Sequence, residues 1–144
     1  QKLNNKNTVE KSSNCCIHSF AHLQVCSESD IKLMKDLGVG ANFSPLWFQR
    51  DSFTEEFHQI IGKENLDNVY PIRTILSDNV PCGFGSDWPV SSENPWYGIQ
   101  VAVTHRDILC QDEKVTYNKQ HLITMKEAIN CYTKGSAILM GLDH

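Results

Sequence analysis

Asp87 and His22 are the residues best placed to do chemistry. Asp87 follows Pro81–Phe84, which reads as a short buried strand ending at a tight Gly85–Ser86 bend, and Trp88 and Pro89 stiffen the loop beyond it. A carboxylate at the carboxyl end of a buried strand stands where (β/α) barrels and open α/β sheets put their chemistry. A Gly-Ser-Asp triplet equally suits an Asx-turn or a helix cap. His22 lies near the carboxyl end of a second predicted strand, Cys16–Leu23. Imidazole suits zinc and similar ions. His18 falls on the same predicted strand face as His22 by the two-residue period, but a lone strand histidine is more often a packed or hydrogen-bonded residue. Trp47, Trp88 and Trp96 follow strand ends, where large aromatics wall a substrate pocket or anchor a loop. His58, His105, His121 and Arg106 fall on predicted helices or loops and are expected at the surface.

The elements that must position these residues alternate. After the Cys16–Leu23 strand, Ser27 caps a helix with Ile31, Met34 and Leu37 at helical spacing and Gly38 as its stop. Val39–Phe43 is the next strand, ended by Ser44–Pro45. Asp51 or Ser52 caps a helix whose Phe53, Phe57, Ile60 and Ile61 form a core-facing stripe. Pro71 starts a short helix with Ile72, Ile75 and Leu76 inward, and Asn79 supplies a left-handed stop. Asn94–Pro95 opens another helix after the Asp87 loop. A long polar stretch, 107–121, leads to a capping box, Thr124 with Glu127. The last helix turns Ala128, Ile129 and Tyr132 inward and is expected to break at Gly135. Strands separated by crossover helices predict an α/β fold with parallel strands.

Composition narrows the function. The chain has 144 residues, 40% hydrophobic and 21% charged, with a net charge of -4. That size suits about one domain, and the acidic balance argues against a nucleic-acid footprint, which needs a basic face. No apolar run approaches the roughly 20 residues of a membrane helix. Residues 1–14 are polar, lack the apolar core of a signal peptide, and read as a flexible lead-in to one domain over 15–144. The six cysteines show neither a CxxC pair nor regular spacing. Free thiols in a reducing, cytoplasmic setting are therefore expected.

Four stretches in order carry a family resemblance: IHSFAHLQV at 17–25, LGVGANFSPLW at 37–47, GSDWPV at 85–90 with Asn94–Pro95, and EAI at 127–129 with Tyr132–Thr133. Together they resemble the family 3 amidohydrolases, metal-dependent hydrolases of the YtcJ-like type, over roughly Ile17 to Gly141. The resemblance implies a (β/α)₈ barrel with a metal at the carboxyl ends of its strands. His22 then matches the sixth-strand histidine, as a metal ligand or the group that polarises the substrate carbonyl, Val39–Phe43 the seventh strand, and Asp87 the ligand and general base on the eighth. It implies hydrolysis of a carbon–nitrogen bond, other than a peptide bond, in a small-molecule amide or related substrate. The implied cofactor is a divalent metal, expected to be zinc.

The family's His-x-His pair and fifth-strand histidine have no counterpart in these 144 residues. A barrel takes about 250 residues, so the chain is expected to be the carboxyl-terminal portion, about strands six to eight with their helices. Two readings follow. One is a hydrolase of which this chain is a fragment, completed by the remainder of the barrel. The other is a truncated, inactive product that survives by association as an oligomer, with open strand edges.

Overall fold

The computed structural model describes residues 17–109 and 116–142. The lead-in expected at 1–14 lies outside the described residues, as do Cys15, Cys16 and Cys110. Three short strands form one parallel sheet in chain order: β1 (Ser19–Ala21), β2 (Gly40–Phe43) and β3 (Cys82–Phe84). Ser19 stands opposite Gly40, and Phe43 opposite Phe84. The expected α/β fold with a parallel sheet is therefore present.

The helices between the strands begin where the side chains can cap them. Helix α1 (Glu28–Leu37) starts at Ser27, whose hydroxyl accepts from the Asp30 amide, and ends at Gly38 with φ 67°. Only glycine takes that left-handed stop without a steric cost. Ile31 and Met34 of α1 are buried, whereas Leu37, at the same helical spacing, is exposed. A 3₁₀ turn, Pro45–Phe48, follows β2 and buries Phe48 completely.

Helix α2 (Ser52–Ile61) is capped by Asp51, which accepts from the Thr54 amide. Its predicted core stripe is corrected: Phe53 and Ile60 are exposed and Thr54 is buried. The buried face is rotated from the apolar one. Helix α3 (Ile72–Ser77) buries Ile72 and Ile75, and α4 (Pro95–Thr104) starts at Asn94.

Ala41, Phe43, Cys82 and Phe84 are all buried. They occupy one sheet face, because successive side chains alternate and the register pairs Ala41 with Cys82 and Phe43 with Phe84. Phe48 fills the space above them, with ring centroids 5.6 Å from Phe43 and 6.1 Å from Phe84 in edge-on geometry. Gly40 and Gly83 carry the other face, where Leu139 lies so close that a Cβ on Gly40 would come within 2.3 Å of it.

The last helix does not break at Gly135. Helix α5 (Met125–Asn130) runs through a π-turn, Cys131–Gly135, into α6 (Ser136–Leu139). Gly135 is needed for contact rather than as a stop: a Cβ there would sit 2.0 Å from the Cys82 carbonyl oxygen. This segment covers the outer edge of β3. The Ser136 hydroxyl accepts from the Phe84 amide at 3.2 Å and lies 2.9 Å from the Phe84 carbonyl. Among the described residues, the open edges expected of a three-stranded sheet are thus reduced to one, at β1, where Ser19, Phe20 and Ala21 are all exposed. Cys26, Cys82 and Cys131 are free and buried. Among the described residues, no helix is long and apolar enough to cross a membrane.

Candidate active site

Parallel strands put all their carboxyl ends along one side of a sheet, so residues just beyond β1, β2 and β3 are brought together. These are His22, Ser44 and Asp87. His22 Nε2 lies 3.9 Å from Asp87 Oδ2, and its Nδ1 lies 3.3 Å from Ser44 Oγ. The first separation is too long for a direct hydrogen bond. Each side chain is a little over one third exposed, at 37% and 38%.

The backbone that aims them is unusual. The strand predicted through Leu23 stops at Ala21. The Leu23 amide donates to the Ala21 carbonyl at 2.8 Å across His22, whose φ is 68°. A hydrogen bond to the second residue back across a positive-φ residue marks a γ-turn of the rarer, strained hand. His22 therefore leaves the pleat, and its predicted alignment with His18 is corrected. His18 is exposed, ahead of β1. Asp87 also has positive φ, 56°. Such backbones cost of order 1–3 kcal/mol each and cluster where a site over-determines them.

Trp47 completes the arrangement. Its ring stacks on His22 with centroids 4.6 Å apart and planes 19° apart. Its indole N–H donates to Ser91 Oγ at 2.9 Å, tying the loop after β2 to the loop after β3. Trp88 and Trp96 differ from Trp47: they are 67% and 65% exposed and do not line the cavity beside it. Ser44 and Ser91 are the orienting partners that residue types alone did not single out. The one available signal was that Ser44 directly follows a predicted strand, Val39–Phe43.

Two residues expected at the surface are corrected. His105 and His121 are buried, at 1% and 5% exposure. His105 Nδ1 lies 3.0 Å from the Tyr117 carbonyl, and His121 Nε2 lies 2.9 Å from that of Asp67. Burial pulls His105 down to about 4, against the opposing pull of the Tyr117 carbonyl. His121 is lowered for the same reason. His58 is half-buried and bonds to the Tyr117 hydroxyl. Arg106 donates to Thr116 Oγ1 at 3.1 Å. None of these groups is among the partners of His22 and Asp87 described above.

As a place for a metal, the pair fits in kind. Imidazole nitrogen and carboxylate oxygen are common ligands, and a ligating histidine usually gives its other ring nitrogen to an orienting partner, the position Ser44 holds here. The pair does not fit in number. A catalytic zinc needs about three protein ligands, and the described residues contain no group of three or more His, Cys, Asp or Glu that could hold an ion.

The sequence profile of the amidohydrolase family matches residues 3–144. The chain belongs to the amidohydrolase family. Within it, 77 residues, 54% of the chain, are 34% identical to the putative amidohydrolase YtcJ of Bacillus subtilis strain 168. The resemblance to family 3 read from the four motifs is thereby borne out. That match covers 14% of the Bacillus protein. Two crystal structures share the fold. An uncharacterized metal-dependent hydrolase from Pyrococcus horikoshii OT3 superposes with a TM-score of 0.69 at 21% identity, over 86% of this chain and 24% of that one. One from Pyrococcus furiosus gives 0.63 at 24% identity, over 87% of this chain and 24% of that one. This amidohydrolase chain thus spans about a quarter of the solved proteins it matches.

Proposed function

We propose that the chain is the carboxyl-terminal part, about strands six to eight, of a metal-dependent hydrolase with a (β/α)₈ barrel. It acts on carbon–nitrogen bonds other than peptide bonds in small-molecule amides or related compounds. The observation that carries the reading is the approach of His22 Nε2 to within 3.9 Å of Asp87 Oδ2 on one side of a parallel sheet. In this reading, residues 1–14 are a lead-in and 15–144 one partial barrel domain.

When bound, a divalent ion, zinc by expectation, supplies a water made acidic enough to attack at neutral pH. Asp87 has two carboxylate oxygens, so one would help hold the ion and the other would take a proton and return it to the leaving nitrogen. His22 would help hold the ion or would polarise the substrate carbonyl through Nε2, while Ser44 and Trp47 hold its ring in place. Because the described residues provide two donors and no group of three, we propose that the 144 residues alone do not turn over substrate. The missing ligands come from the remainder of the barrel.

The test is to produce the protein encoded in frame ahead of Gln1 together with this chain. Hydrolysis of simple amides and metal content are then measured. Asp87→Asn is expected to lower kcat at least a thousandfold, the loss of both a ligand and the general base. His22→Ala is expected to weaken metal binding tenfold or more. Full turnover in Asp87→Asn, or a reading frame that closes just before Gln1, would overturn the catalytic reading.

A further inference from the structure

A cavity of about 530 Å³ opens beside Trp47, within the size range of small-molecule sites. The loops after all three strands build it. Gln24 follows β1, Leu46 and Trp47 follow β2, and Val90 and Ser92 follow β3. It therefore lies on the side of the sheet that carries His22 and Asp87. Trp47 is the common wall, because the same indole stacks on His22 and lines the cavity. A molecule whose reacting group sits at His22 and Asp87 can extend its substituent past Trp47 into this space.

The lining defines what fits. Leu46, Phe53, Val90 and Ile108 supply apolar surface, and among the described residues no lysine, arginine or histidine lines the cavity. Its one charged side chain, Asp51, accepts from the Thr54 amide and the Thr54 hydroxyl at 2.8 Å each in capping α2. An anionic substituent would meet this carboxylate, and the described lining supplies no cation to offset its lost hydration. A neutral apolar group would lose nothing comparable.

Phe53 gives an independent indication. Its place on α2 leaves it 62% exposed, so the fold does not require an aromatic there. It nonetheless stacks on Phe57 at 5° between planes and lines the cavity. Flat aromatic walls favour flat ligands through offset or edge contacts.

We infer that this cavity binds a neutral apolar substituent of the substrate, an aryl or branched alkyl group, with Trp47 and Phe53 as its specificity-determining walls. The assignment of that substituent to a hydrolysed substrate rests on the function proposed above, while the binding itself does not.

The probe is N-benzylacetamide, with 4-(acetamidomethyl)benzoate as its anionic counterpart. Each is titrated into the 144-residue protein while the Trp47 indole N–H is followed by NMR, its signal assigned with Trp47→Phe. The neutral probe is expected to shift that signal saturably, and the carboxylate to bind at least tenfold more weakly. Phe53→Asp, at an exposed position, should weaken the neutral probe tenfold or more, and Phe53→Leu should restore most of the affinity. No saturable shift, equal binding of the two probes, or unchanged affinity in Phe53→Asp would overturn the inference. Binding as expected, combined with full turnover of Asp87→Asn in the longer protein, would overturn the proposed chemistry and leave the cavity assignment standing.

Discussion

His105 offers a quantitative test of the fold through pH. It caps α4 with φ 46°, and its own amide donates to the Val101 carbonyl at 2.7 Å. It then holds Tyr117 twice: the Tyr117 amide donates to the His105 carbonyl at 3.0 Å, and Nδ1–H donates to the Tyr117 carbonyl at 3.0 Å. Nε2 is buried without a hydrogen-bond partner among the described residues, and the ring lies 5.4 Å from that of Phe48. Protonation would place a charge and an unmatched N–H donor in this apolar setting, which is why burial pulls the group from 6.5 down to about 4. The unfolded chain binds this proton near pH 6.5, the folded chain only near pH 4. Between those values the unfolded state holds more protons, so stability rises with pH. It is fully present above about pH 6.5 and is lost as pH falls toward 4. The difference, at about 1.4 kcal/mol per pH unit, is roughly 3 kcal/mol. His121 and His58 are also lowered and add to the same fall, so the contribution of His105 is isolated by difference. His105→Asn suits this purpose, because asparagine tolerates positive φ and its amide can still donate to Tyr117. Urea unfolding from pH 7 to pH 4 is expected to show wild type losing about 3 kcal/mol more than the variant. Equal losses in the two proteins would refute a buried, neutral His105.

Two further outcomes test the packing of the carboxyl-terminal segment. Gly135→Ala would set a Cβ 2.0 Å from the Cys82 carbonyl oxygen, where the obstacle is backbone. It should destabilise by about 3 kcal/mol in urea unfolding, and a loss below about 1 kcal/mol would show that the π-turn is not held against β3. Thr124→Ala removes the hydroxyl that accepts from the Glu127 amide at 3.2 Å. A loss of about 1 kcal/mol is expected by the same assay, and no change would mean that the start of α5 is fixed by Arg73 alone, whose guanidinium donates to both Glu127 carboxylate oxygens at 2.8 and 3.1 Å.

The legible part of the fold was the part that is decided locally. Ser27, Asp51, Asn94 and Thr124 each cap the helix that follows, and Gly38 and Asn79 take positive φ. A cap answers to amides two or three residues away, so the sequence contains the whole interaction. Which face of a helix is buried depends on what lies across from it. The Phe53 and Ile60 stripe therefore misled, and Thr54 took the buried place. Gly135 read as a stop because its partner, the Cys82 carbonyl, comes from a distant strand. His105 and His121 read as surface residues because polarity predicts exposure only where no carbonyl waits inside, and those of Tyr117 and Asp67 do.

By itself the sequence determined the order of strands and helices, the family, and two donor residues at strand ends. Strand period, capping chemistry and motif order are all written along the chain. Tertiary structure alone decided that the two donors meet, because parallel pairing of β1, β2 and β3 sets their carboxyl ends side by side. It also decided that His22 leaves the pleat through a γ-turn and that Trp47 serves both that histidine and the neighbouring cavity. Distances between segments far apart in the chain are set by the packing of the helices that join them, and no local pattern encodes that packing.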